Sequence, residues 1–328
     1  MLNTTYELVG VGSPIIDILA QVPDSFLEIV GGGKGGMVLT DGETIGKWLG
    51  QLPGPRTEAP GGSAGNTIFA AARLGLRTTF IGKVGMGEGG AFCKESLKAL
   101  GGYISRFKTG DIANGRCLSL ITPDSERTLR TDLGAAATLS PEDITPADFV
   151  GCTHAHIEGY LLFNPDLMLK VLKSAKEANC SISLDLASYE VVEAARDSLP
   201  ILLSEYVDLV FANEEEAAAF NGSPAEPGDL AVKLAEYSDL AVVKVGAKGA
   251  WLARGTEAIH CPAVARVEAV DTTGAGDYWA AGFLTGWLHG KPLEVCAEWG
   301  ARLGAEIVQI IGAELPEETW QRVLADLK

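Results

Sequence analysis

Basic residues are in short supply: 26 Lys and Arg stand against 43 Asp and Glu, a formal charge of −17. A phosphate backbone is bound by concentrated positive charge, so no nucleic-acid partner is expected. An anionic small molecule must then be held by local amides, a few basic side chains and a metal ion. Long apolar runs are also missing. No stretch reaches the roughly 18 consecutive apolar residues of a membrane span, and the N-terminus lacks the basic and apolar regions of a signal peptide. The expectation is a soluble cytoplasmic protein with no membrane partner. The cysteines Cys93, Cys117, Cys152, Cys180, Cys261 and Cys296 are scattered without a C-x-x-C pair. Reduced core thiols are expected in preference to disulfides or a zinc site. Only four histidines occur; His154 and His156 form an H-x-H without acids at ligand spacing, which does not make a metal site.

What is present is enough apolar residue, 47% of 328, for one large α/β unit with an appendage. Tyr6–Gly12 reads as a first strand. From Thr153 the pattern repeats: strand to about Tyr160, helix Pro165–Ala178, strand Ser181–Asp185, strand Asp208–Ala212. Strands alternating with helices imply a parallel sheet with right-handed crossovers. In such sheets ligands gather at the carboxyl edge of the strands.

The stretch Asp271-Thr-Thr-Gly-Ala-Gly-Asp277 carries the chemistry. Small residues let backbone approach a phosphate, amides bind it, and a carboxylate receives a proton. Ala281, Leu284 and Leu288 follow at helical spacing, so Gly274, Ala275 and Gly276 sit at a helix N-terminus, where free amides and the dipole favour an anion. Asp277 is then either a general base, kept ionised by the dipole, or a helix cap behind a glycine turn. Both readings stand on spacing alone.

The string DTTGAGD, leading into a Gly- and Ala-rich helix, resembles the second signature of the ribokinase-like (PfkB) family of carbohydrate and nucleoside kinases. The stretch Gly61-Gly-Ser-Ala-Gly-Asn66 through Gly85 resembles its first signature. The resemblance spans nearly the whole chain. It implies a three-layer α/β/α sandwich, residues 1–328 forming a single kinase domain, with a mostly parallel central sheet and a small β-sheet lid. It implies ATP-dependent phosphorylation of a hydroxymethyl group on a sugar or nucleoside, with ATP and Mg²⁺ as cofactors. A non-catalytic sugar- or nucleotide-binding protein of the same fold is the alternative. A Rossmann oxidoreductase is suggested only by the G-x-G-x-x-G string Gly85–Gly90, which lacks its opening βαβ context.

By this resemblance Gly274, Ala275 and Gly276 form an anion hole and Asp277 activates the acceptor. Asp17 in the first loop grips substrate hydroxyls together with Gly61, Gly62 and Asn66; a turn acid at Asp17 and a Ser63 N-cap are the plainer alternatives. Asn213 and Glu216 match an N-x-x-E motif that organises Mg²⁺, often through water, although acids in a first helical turn also serve as caps. Lys244, Gly246 and Gly249 are placed near the nucleotide, with Lys244 standing where many relatives carry Thr. Asp271, Thr273 and the Gly312-Ala313 turn are implied in a monovalent-cation site, K⁺ in some relatives.

The lid is expected from about 18–60, with a short strand at Met37–Thr40 and a glycine run at Gly31–Gly36, and from 103–133, where Cys117–Thr122 and Arg127–Thr131 read as a hairpin. Arg127 is expected either to swing a guanidinium over the phosphate or to sit on a solvated face; Arg130 is expected on the solvated face. An apolar exposed lid face would support a homodimer. Pro14–Asp17, Gly62-Ser63 and Leu133–Ala136 lean towards adenosine-kinase-like members.

Overall fold

The computed structural model describes residues 6–124, 126–265 and 267–327. Its frame is an eight-stranded sheet. From one edge the strands run Glu257–Cys261, Ala250–Arg254, Leu240–Lys244, Leu209–Asn213, Ser181–Asp185, Cys152–Glu158, Tyr6–Val11 and Thr78–Ile81. The last six are parallel and the first two antiparallel.

Period-two alternation divides these strands between two apolar layers. Val9, Val11, Ile182, Leu184, Val210 and Val243 pack on one side against helices including Pro165–Glu177 and Pro227–Ala235. Leu8, Phe80, Phe211, Leu240 and Val242 pack on the other against Ser63–Arg73, Ala275–Leu288 and Leu293–Ile307. Each fully buried Leu, Val or Phe contributes on the order of 1.5–3 kcal/mol. The Phe211 ring meets Trp279 at 6.1 Å and Phe283 at 5.6 Å, both edge-on. These contacts seat the Ala275–Leu288 helix on the sheet and so set the height of its first turn.

The second face also carries polar residues. Ser183 Oγ lies 2.8 Å from His154 Nε2 and 2.8 Å from His156 Nδ1, and Ser181 Oγ lies 2.7 Å from His154 Nδ1. The H-x-H pair is thus engaged by the S-x-S of the neighbouring strand, and burial pushes His154 down to about 3 and His156 down to about 4. Both rings are neutral.

A five-stranded lid sheet, ordered Met37–Leu39, Arg127–Gly134, Asn114–Ile121, Ile15–Gln21 and Arg56–Gly61, stands beside the main sheet. Its strands begin at Ile15, ahead of the expected 18. Residues 103–113 lie outside it, with Lys108–Gly110 pairing instead with Lys83–Gly85. The first loop is shorter than expected, because Asp17 sits on a lid strand whose Ile16, Ile18 and Ala20 are buried. Residues 18–60 are more regular than their glycines suggest, with helices Asp24–Val30 and Gly42–Leu49. Phe26 and Val30 pack on Ile18, Leu118 and Leu120 and cover one lid face. Exposed apolar groups therefore lie on the edge strand, where Met37, Val38 and Leu39 are 47%, 43% and 60% exposed.

Arg130 corrects an expectation. It is 1% exposed rather than solvated and donates to the carbonyls of Gly31, Gly36 and Leu129. Gly36 O also accepts Leu129 N at 2.9 Å, and the guanidinium fork adds donors to a turning run whose Gly31 carbonyl lies outside any strand ladder.

The G-x-G-x-x-G string opens the Glu88–Ala99 helix from a short strand of the two-stranded pair, outside the main sheet. No helix among the described residues is long and apolar enough to cross a membrane.

Candidate active site

The carboxyl ends of the parallel strands open into a cavity of about 810 Å³, within the range of small-molecule sites. Asp185, Asn213, Glu216, Lys244, Gly246, Gly249, Gly274, Ala275, Gly276 and Asp277 line it. These residues come from strand ends and helix starts far apart in sequence, as the doubly wound topology requires.

Gly274 caps the Ala275–Leu288 helix with φ 70, a left-handed conformation that favours glycine. Ala275 N donates to Thr272 O, whereas the amides of Gly276 and Asp277 find no acceptor among the described residues. Unpaired amides at a helix start are able to bind an anion.

Asp277 is held from the Ser63–Arg73 helix. Its Oδ1 accepts Ser63 Oγ at 2.8 Å, its Oδ2 accepts Asn66 Nδ2 at 2.9 Å, and its carbonyl accepts Thr67 Oγ1 at 3.1 Å. These three residues share one helical face at i, i+3 and i+4. Ser63 is not the expected N-cap; Gly62 holds that position and the hydroxyl is spent on Asp277 instead. The helix dipole is expected to keep the Asp277 carboxyl ionised, but burial acts the other way: it pushes the carboxyl up to about 7, against the Asn66 and Ser63 hydrogen bonds and with the Asp185 charge adding to it. A carboxylate so raised is a stronger base than an ordinary one.

Asn213 and Glu216 form a reciprocal capping box. Glu216 Oε2 accepts Asn213 N at 2.8 Å, Oε1 accepts Asn213 Nδ2 at 2.7 Å, and Asn213 Oδ1 accepts Glu216 N at 2.8 Å. Burial, then the Asp185 charge, pushes Glu216 up to about 7. Asn213 and Glu216 bring side-chain oxygens to the cavity, the kind of donor that suits a hard, hydrated Mg²⁺. Lone pairs already shared with Asn213 favour contact through water.

Lys244 ends its strand with Nζ 2.9 Å from Asp185 Oδ2 and 5.9 Å from the centre of the Phe211 ring beneath it. Beyond Lys244, Gly246 has φ 56 and Gly249 φ 102. A Cβ on Gly249 would stand 2.1 Å from Cys261 O, so the turn accepts only glycine there. The far end of the cavity is apolar, walled by Ala263, Val264, Ala301, Ala305 and Val308.

The remaining expected residues lie outside the cavity wall. Asp17 faces Gly61, whose absent Cβ would lie 2.4 Å from the carboxylate. Burial pushes Asp17 up to about 6, against the Arg127 charge. Gly62 has φ 93, and a Cβ there would meet Ser13 O at 2.1 Å. Arg127 is neither solvated nor over the cavity. It donates to Ser119 Oγ at 2.8 Å and to Asp271 Oδ1 at 3.3 Å.

Asp271 Oδ1 also accepts Thr273 N at 2.9 Å, and its Oδ2 accepts Gly312 N at 2.8 Å. Asp271, expected with Thr273 at a monovalent-cation site, thus accepts three hydrogen bonds, one of them from a guanidinium.

Two carboxylates went unread in the sequence. Asp185 pairs with Lys244. Glu158 accepts Ser13 N at 2.9 Å and Ala64 N at 3.3 Å, binding together the segments by which the chain enters and leaves the first part of the lid. Both end strands, and a single acid at a strand end carries no spacing signal.

Comparison with known proteins is consistent across sequence and structure. Residues 52–320 match the pfkB family carbohydrate kinase family. The chain is 29% identical to adenosine kinase of Saccharomyces cerevisiae over 96% of this chain and 98% of that protein. Adenosine kinase from Sinorhizobium meliloti superposes with a TM-score of 0.87 at 32% identity, covering 99% of this chain and all of the other. A probable sugar kinase from Rhizobium etli CFN 42 gives 0.89 at 30% identity, with 99% of this chain covered.

Proposed function

The chain belongs to the pfkB family of carbohydrate kinases and is a sugar or nucleoside kinase; from this we propose that it transfers the γ-phosphate of ATP to the hydroxymethyl group of a nucleoside, adenosine before others. The observation that carries the reading is Asp277, held by Ser63 and Asn66 beside the unpaired amides of an anion-binding helix start. Sequence similarity to two adenosine kinases supports the acceptor, and the apolar part of the cavity wall suits the base of a nucleotide donor.

Each residue then has a task. Asp17, beside Gly61 and Gly62, accepts hydrogen bonds from the acceptor's hydroxyls. Asn66 Oδ1 is buried without a partner and is free to accept another. Asp277 takes the proton of the attacking hydroxyl, late in a loose transition state, which a carboxylate near pKa 7 suffices to do. Gly274 to Gly276 present amides to the transferring phosphoryl group. Asn213 and Glu216 would hold Mg²⁺, mainly through water. The ion supplies neutralisation of the donor's phosphates when bound. Lys244, Gly246 and Gly249 border the donor's phosphates and ribose. Arg127 stands on the lid within reach of the Asp271–Asp277 loop, and lid closure excludes water that would otherwise accept the phosphoryl group.

The test is ADP release with Mg²⁺ and ATP across nucleosides, pentoses, hexoses and sugar phosphates, with Asp277→Asn alongside. Adenosine should support the highest kcat/KM, and Asp277→Asn should lower kcat by about 10²–10⁴. A sugar preferred over every nucleoside would overturn the acceptor assignment; equal rates in the two proteins would remove Asp277 as the base.

A further inference from the structure

Lys244 is placed with unusual economy of space. Its side chain starts on the Leu240–Lys244 strand, crosses the neighbouring Leu209–Asn213 strand over the Phe211 ring, and reaches Asp185 on the strand beyond. This path brings Nζ under the start of the Ala275–Leu288 helix. A Cβ on Gly276 would lie 3.0 Å from it. The ammonium has three donors, and Asp185 is its one hydrogen-bond partner among the described residues. The others have no partner among the described residues, and Lys244 lines the same cavity as Gly276 and Asp277.

We propose that Lys244 is a catalytic residue which contacts the transferring phosphoryl group, and that Asp185 is the positioning residue which aims it. The inference rests on the kinase reading and adds a fixed charge to it. A loose phosphoryl transition state spreads negative charge over its equatorial oxygens, and a preorganised cation is worth most where water is excluded. A threonine at this position offers a hydroxyl but no charge. Here a cation beside the helix start is supplied by the sheet itself.

The ammonium is kept charged in a setting that ought to discharge it. Burial disfavours the charged form, but Asp185, Glu216 and Asp277 more than offset this and hold Lys244 above its ordinary value. Asp185 shows the reciprocal effect. Burial raises it, yet the Lys244 charge and hydrogen bond hold it below the usual range. Glu158, Glu216 and Asp277 also bear on Asp185 electrostatically, while His156 beside it is neutral under the sheet face. Asp185 is itself held by Ala187 N, which donates to Oδ1 at 3.0 Å, leaving Oδ2 directed at the lysine.

The experiment compares wild type, Lys244→Met, Asp185→Asn and the double variant Lys244→Met/Asp185→Asn by steady-state ADP release and by calorimetric titration with MgATP. The single lysine variant leaves Asp185 buried without a partner and is vulnerable in folding; the double variant removes both charges together and keeps a neutral, similar-sized pair. Its kcat should fall by about 100-fold or more, with the acceptor KM within about threefold of wild type and MgATP bound about tenfold more weakly. Asp185→Asn should retain more activity, and the alkaline limb of its pH–rate profile should move to lower pH, because the lysine loses the carboxylate that stabilises its ammonium. A double variant within about threefold of wild type in both kcat and MgATP affinity would overturn the inference and leave the kinase intact. A wild type that binds MgATP but turns over no acceptor would defeat the kinase reading. The MgATP titration would then decide the role of Lys244, with unchanged affinity in the double variant overturning it.

Discussion

Asn66 donates its side-chain amide to the Asp277 carboxylate at 2.9 Å across a separation of 211 positions, joining the lid-proximal helix to the phosphate-binding helix. The same asparagine keeps its buried Oδ1 unpaired. In the proposed reaction one side chain thus orients the base and offers an acceptor to the substrate. Because donors to a carboxylate favour its charged form, Asn66→Ala should raise the pKa of Asp277. The acid limb of kcat/KM should move to higher pH, with kcat at pH 7 reduced about tenfold or more; Ser63→Ala should act in the same direction. A rate profile with its limb in place would mean that neither bond tunes the base.

Asp277 also makes stability depend on pH. Its carboxyl titrates near 7 in the fold against an ordinary 3.8. The folded state therefore binds this proton more tightly than the unfolded chain does, and stability is lost as pH rises between those values. Asp277→Asn removes the titration. The melting temperature of the variant minus that of wild type should increase from about pH 4 to pH 7 and level off above it, by a few degrees in all. A difference independent of pH would show that the carboxyl is not raised.

Gly276 and Gly274 make a contrast between space and conformation. Gly276 lies outside the positive-φ region, so alanine costs it no backbone strain, but the new methyl would stand 3.0 Å from Lys244 Nζ. Gly276→Ala should lower kcat about tenfold or more with a melting temperature near that of wild type. Gly274 has φ 70, and its Cβ would meet Ala313 at 3.1 Å. Gly274→Ala should lose stability as well as rate, by about 1–2 kcal/mol from the left-handed backbone. Thermal melts alongside ADP-release assays separate the two outcomes.

Glu158 serves two backbone donors with two oxygens, and glutamine has only one. Glu158→Gln should leave the Ser13 or Ala64 amide unsatisfied in the interior at about 1–3 kcal/mol. Hydrogen exchange at these two amides should accelerate more than at Leu8 or Val9 on the adjoining strand. Uniform acceleration throughout the sheet would assign Glu158 a general structural part only.

The elements that could be read from the chain are those whose information is consecutive. Asp271 to Asp277 declares a phosphate loop within seven positions, and the βα alternation after Thr153 appears in the observed order with bounds shifted by a residue or two. The Asn213–Glu216 pair was visible too, because a capping box and a metal-organising motif use the same spacing. The structure makes the box without removing either residue from the cavity. Contacts between distant segments left no trace. Arg130 looked solvated because alternation along its strand ignores the Gly31–Gly36 loop that folds over it. Asp277 looked like a weak base because the helix dipole is local and its desolvation is not. Asp185 and Glu158 have meaning only once the sheet order places Lys244 and the lid crossings beside them.

The Arg127–Asp271 pair reaches from the lid to the opening residue of the phosphate loop. Its two side chains are only 11% and 4% exposed, so dissolved salt screens this pair far less than it screens the phosphates of an incoming donor. The tie between lid and loop should therefore persist at ionic strengths that weaken nucleotide binding.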